Sequence, residues 1–155
     1  MERLGQRIMI PTRSEFLTVL GGDWVSDEIF ELTKTLEYYS ALLECVIRVP
    51  IGFQTDLASV PRVPIIYEMF GNRAHHESVI HDYLYRKDSA PLVSFGVANK
   101  AFKEAMEARG KTRLIVYGMY KGVCSGGASH FHKKCVGDKL LVHSIDSKEE
   151  NNAYK

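Results

Sequence analysis

Two short stretches hold residue types whose combination can do chemistry: His81-Asp82-Tyr83-Leu84-Tyr85-Arg86 and, upstream, Thr55-Asp56-Leu57-Ala58-Ser59-Val60-Pro61-Arg62. A histidine followed directly by an aspartate sets a proton acceptor and an anionic ligand roughly 100° apart on one helical turn, so each can address a different part of one site. Val79, Ile80 and Leu84 offer an apolar face to hold such a helix down. His81, Asp82 and Arg86 interrupt that face with groups that are costly to bury unpaired. If the upstream loop folds over the helix, Asp56 and Asp82 can share a divalent cation such as Ca²⁺, with Thr55 and Ser59 as further oxygen donors. The competing arrangement is a buried network in which Asp56 caps its own turn and Arg62 or Arg86 neutralises the carboxylates.

The elements needed to position these residues divide the chain into a β half and an α half. Phe16 to Leu20, a turn at Gly21-Gly22-Asp23, and Trp24-Val25 are expected to form a strand, a turn and a return strand. Ile29 to Tyr39 alternates, with Phe30, Leu32, Leu36 and Tyr38 on one face, as expected of a single strand. Cys45 to Val49 is a further strand stopped by Pro50, and Ile51 to Asp56 is expected to be a loop. Helical periodicity begins at Pro64 and breaks at Gly71-Asn72, where Asn72 can cap a helix over Ala74 to Lys87. Phe95, Ala98, Phe102, Ala105 and Met106 mark a second helix ended by Gly110, and a third runs from about Arg113 to Val123. The expected fold is α+β: a small antiparallel sheet packed by three or four helices, one domain over 1–143, and a disordered tail over 144–155 with little apolar content.

Composition narrows the function. A length of 155 residues suffices for one domain with an ordinary core. The net charge of +1 conceals an asymmetry, −4 over 1–60 against +6 over 61–143 and −1 in the last twelve residues. The lysines and arginines of the second half are spread as on a solvated helix face, although a basic half also suits an anionic partner. Three cysteines without a CxxC argue for reduced thiols. Cys124, His130, His132 and Cys135 offer zinc-type ligands at an irregular spacing, the alternative being a flexible glycine-rich connection. His75 and His76 are expected to be exposed. No apolar run approaches the roughly 18 residues of a membrane span, no glycine-rich phosphate loop follows a strand, and no nucleic-acid motif is present.

In order and spacing, Val49-Pro50, Gly52-Phe53, the TDLASVPR stretch from Thr55 to Arg62, the HDxLYR stretch from His81 to Arg86, and Phe102-x-x-Ala105-Met106 resemble domain of unknown function 1353. That resemblance covers roughly residues 14–123 and implies a phage or prophage gene product, acting in the host cytoplasm or on the virion and partnered by other phage proteins. The spacing is more distantly similar to the compact bacterial phospholipases A2. That second resemblance implies His81 as the water-activating base, Asp82 as a calcium ligand, Tyr85 as a buried hydrogen-bonding partner, and Asn99 at the position that orients the histidine. Those enzymes carry an aspartate where this chain has Asn99, and an amide cannot supply the charge that stabilises an imidazolium.

Two function classes follow. In a small metal-assisted hydrolase, His81 activates water against an ester such as a lipid, Asp82 and Asp56 position a cation, and Arg62 or Arg86 binds substrate or the developing oxyanion. In a non-catalytic accessory or virion-associated protein, the same residues form a polar network that fixes the loop to the helix. The neutral Asn99 tips the sequence toward the second class, and convergence of these residues in an open cleft would tip it toward the first.

Overall fold

The computed structural model describes residues 9–57 and 75–140. Arg62, the helical pattern expected from Pro64, the Asn72 cap and the 144–155 tail lie outside the described residues. Among the described residues, six short strands precede three helices: β1 Glu15–Phe16, β2 Gly22–Trp24, β3 Phe30–Leu32, β4 Leu36–Ser40, β5 Cys45–Val49, β6 Gln54–Thr55, then α1 His75–Leu84, α2 Phe95–Ala108 and α3 Arg113–Gly126. The fold is α+β.

The β half forms two three-stranded antiparallel sheets, ordered β1-β4-β5 and β2-β3-β6, rather than one. The expected single strand over Ile29 to Tyr39 is broken at Thr33–Thr35, and its two pieces pair in different sheets. Alternation could not reveal the break, because Phe30, Leu32, Leu36 and Tyr38 are all buried on either side of it. The hairpin expected around Gly21-Gly22-Asp23 is also absent. Gly22 instead pairs with Leu32 inside β2, where a Cβ would collide with the Phe30 ring and the Glu31 carbonyl. Its glycine serves a close approach rather than a turn. Gln54 and Thr55, expected in a loop, form the edge strand β6 by pairing with Glu31 and Phe30.

Helices α1 and α2 pack on this β layer. Val79, Ile80 and Leu84 of α1 are fully buried with Ile47, Val49 and Phe53, as the apolar spacing requires. Glu104 pins α2 to β4 by accepting hydrogen bonds from Tyr38 Oη at 2.9 Å, Ser40 Oγ at 2.7 Å and the Leu42 amide at 2.8 Å. Ser94 caps α2 through the Val97 amide, and Gly110 at φ +73° lets the chain leave it. A second apolar cluster, Phe102 and Met106 against Val116, Met119 and Val123, holds α3 on α2.

The segment after α3 is tied back across the end of α1. The His132 amide donates to the Tyr85 carbonyl at 2.8 Å, the Lys87 amide to the Lys134 carbonyl at 3.0 Å, and the Val136 amide to Asp88 Oδ1 at 2.6 Å. Lys139 Nζ reaches Glu31 Oε2 at 3.2 Å and the Gly52 carbonyl at 3.1 Å. The glycine-rich connection is therefore a bonded cover over the motif helix, not a flexible link.

Candidate active site

His81 sits one turn from the end of α1 with only 2% of its surface exposed. Its ring lies between those of Tyr85 and Phe102, with centroids at 4.1 and 4.7 Å. Asn99, in the first turns of the antiparallel α2, faces it across the helix pair, and His81 Nε2 lies 2.9 Å from Asn99 Oδ1. Tyr85 Oη donates to the same oxygen at 2.7 Å, while Asn99 Nδ2 points at Cys124 Sγ, a weak acceptor 3.8 Å away. An amide oxygen only accepts, so the His81 ring proton is on Nε2 and the lone pair on Nδ1. Nδ1 is 3.9 Å from Asp82 Oδ1, beyond direct hydrogen-bond reach. Burial pushes the imidazole pKa down to about 4, partly offset by the Asn99 hydrogen bond, so the ring is neutral at physiological pH.

The upstream motif reaches the helix through Thr55. Its Oγ1 donates a hydrogen bond to Asp82 Oδ2 and accepts the Leu57 amide at 2.9 Å. Thr55 thus bonds into the local turn, in which Leu57 takes φ +52°. Arg86 is 8% exposed; it lies over the Phe53 ring at 5.3 Å, and its Nη2 donates to the Gln54 carbonyl at 3.3 Å. Its Nε finds no hydrogen-bond partner among the described residues.

Asp56, His81, Asp82, Tyr85 and Arg86 all line one cavity of about 360 Å³. Its other walls are Gly122, Val123, Gly126 and Gly127 at the end of α3, with His130, Lys133, Lys134 and Leu140 from the covering segment. Gly127 is required by packing, since a Cβ there would meet Tyr85 Oη and the Val123 carbonyl. Asn99 does not line the cavity and acts on it through His81 and Tyr85. Sequence reasoning missed Thr55 as the loop's anchor and missed Lys133 and Lys134, which nothing in their spacing connects to α1.

Among the described residues, the carboxylates that line the cavity are those of Asp56 and Asp82, with cationic side chains beside them. No three His, Cys, Asp or Glu side chains among the described residues converge as a metal set, Cys124, His130, His132 and Cys135 included. His75 and His76 are half-buried rather than exposed: His76 Nε2 accepts the Leu20 amide at 3.2 Å and meets the Phe16 ring edge-on, docking α1 on the β layer.

Fold and site together define an α+β protein in which a histidine, amide and phenol network borders a small solvent-linked cavity. The family model for proteins of unknown function DUF1353 matches residues 30–123, and the chain belongs to that family. Comparison with curated proteins and with solved structures finds no match. Among the described residues no helix is long and apolar enough to cross a membrane.

Proposed function

We propose that this protein is a small hydrolase that cleaves an ester or related acyl bond with His81 as general base. The observation that carries this reading is the orientation of His81: Asn99 holds the proton on Nε2, leaving Nδ1 as the acceptor beside Asp82 at the cavity wall. In this reading a water at the cavity wall donates one of its protons to Nδ1. Nδ1 takes that proton as the water oxygen bonds to the carbonyl carbon. The tetrahedral intermediate then expels its alcohol, which leaves with the proton from Nδ1. Arg86, buried at the cavity with its Nε unpaired among the described residues, supports the developing oxyanion, and Arg62 is the upstream candidate for the same role.

A second reading, a phage- or prophage-encoded accessory or virion-associated protein with a purely structural network, is favoured by one specific observation. Asn99 is neutral, and a histidine whose pKa lies at about 4 is a weak base. Hydrolysis of 4-nitrophenyl butyrate with and without Ca²⁺ separates the two. The hydrolase reading expects turnover that His81→Ala abolishes and Asn99→Asp raises about tenfold or more, because a carboxylate stabilises the imidazolium; a calcium dependence would add the divalent cation to the site. An inert wild type, with an Asn99→Asp protein that is inert and less stable, contradicts it and leaves the structural reading.

A further inference from the structure

The cavity lining sets three cationic side chains against the two carboxylates of Asp56 and Asp82, so its balance is positive before any substrate is bound. Arg86, Lys133 and Lys134 all line it, with His130 beside them, and among the described residues none of the three cations has a carboxylate within ion-pair distance. A buried guanidinium without a carboxylate is costly to hold, and the orphaned Nε of Arg86, on a side chain more than nine-tenths buried, keeps donor capacity for a ligand. The two lysines are not carried on a loose segment. Backbone bonds of His132 to Tyr85 and Lys134 to Lys87 register this stretch against the end of α1, and the Phe131 ring packs it onto the Tyr85 and Phe95 rings, with centroids at 5.3 and 5.6 Å. Both lysines lie beyond the stretch matched by the family model.

Resting on the hydrolytic reading, we infer that the substrate is a small soluble ester bearing a permanent anion, carboxylate or phosphate, close to the bond that is cleaved. Arg86 and the Lys133-Lys134 pair hold the anion on the covering side while the carbonyl faces His81. The volume supports a small substrate: about 360 Å³ lies at the low end of ligand pockets and does not accommodate long acyl chains. Val123, Leu140 and the α3 glycines leave room for a short apolar body between the two ends.

The test compares the full chain on two esters of similar size, neutral 4-nitrophenyl butyrate and anionic mono-4-nitrophenyl succinate, with inorganic phosphate, glycerol 3-phosphate and succinate as competitors. We expect kcat/KM about tenfold higher for the anionic ester, the difference a partly exposed charge contact supplies. In Lys133→Ala/Lys134→Ala that preference should collapse, mainly through KM, while Lys100→Ala on the exposed side of α2 leaves both rates as they were. Inhibition by phosphate rather than succinate would identify the anion as phosphate, and the reverse as carboxylate; both support the inference. Equal kcat/KM on the two esters, a preference that survives the double substitution, or hydrolysis confined to phosphatidylglycerol vesicles would overturn it. Should the wild type split neither ester, the hydrolytic reading fails on its own. Thermal stabilisation by inorganic phosphate, lost in the double variant, would then still support the anion site, and its absence would overturn that too.

Discussion

The two ends of α1 bury polar groups in opposite ways. At the first turn Glu77 is fully buried between two cations: Arg109 Nε lies at 3.3 Å and Lys111 Nζ at 3.8 Å. Both cations come from the end of α2, so the pair clamps the helices together. At the last turns His81 is held by neutral partners, Asn99 and Tyr85, and the charged groups beside it, Asp82 and Arg86, face a cavity. A structural clamp turns its charge inward onto a partner, whereas a site keeps its charge where a ligand can meet it. The electrostatics follow: burial pushes the Glu77 carboxyl pKa up and the His81 imidazole pKa down.

Glu77→Ala should therefore cause the largest loss of stability, roughly 3 kcal/mol, because Arg109 and Lys111 lose the charge that draws them in. Urea unfolding midpoints measure it, and a loss below about 1 kcal/mol would show that the clamp contributes little.

Acid should separate the two ends by sign. Unfolded, His81 takes up a proton near its ordinary pKa of 6.5, and folded only near 4, so the unfolded chain binds more protons between those values. Its contribution is complete above about pH 6.5 and is lost as the pH falls to 4, on the order of 3 kcal/mol at most. His76, also lowered to about 4 but only half-buried, acts in the same direction and more weakly. Glu77 acts in the opposite direction: its raised pKa favours the protonated fold, so its contribution is present at low pH and lost as the pH rises through the folded value. His81→Gln should flatten the melting-temperature profile between pH 6.5 and 4, and an unchanged slope would mean that His81 is not buried in its neutral form.

Smaller effects are expected from the parts that orient the site. Gly127→Ala should cost about 2 kcal/mol and loosen Tyr85 from Asn99, read as greater exposure of Tyr85 to solvent by ultraviolet difference absorption. Thr55→Val should cost about 1 kcal/mol, the worth of one hydrogen bond that tethers β6 to Asp82. A Thr55→Val loss as large as that of Glu77→Ala would erase the contrast between the two ends.

Much of the α half is legible because helical burial repeats every three to four residues: Phe95, Ala98, Phe102, Ala105 and Met106 locate α2, and the His81 to Asn99 spacing brings those two side chains together across a helix pair. The β half is less legible because its strands are two to five residues long and its alternation runs unbroken through a change of sheet. The cavity's covering wall is not legible at all. The stretch that carries Lys133 and Lys134 is tied to the end of α1 by backbone hydrogen bonds of His132 and Lys134, which any residue can make, so no side-chain pattern announces it.

Nitrogen NMR of the histidine rings against pH tests most directly that Asn99 fixes His81 as a neutral ring whose lone pair is on Nδ1. The predicted result is an Nε2–H tautomer for His81 that titrates near pH 4, with Asn99→Asp returning its pKa toward or above 6.5. An Nδ1–H tautomer, or a wild-type His81 that titrates at 6.5 and is unmoved by Asn99→Asp, would contradict it.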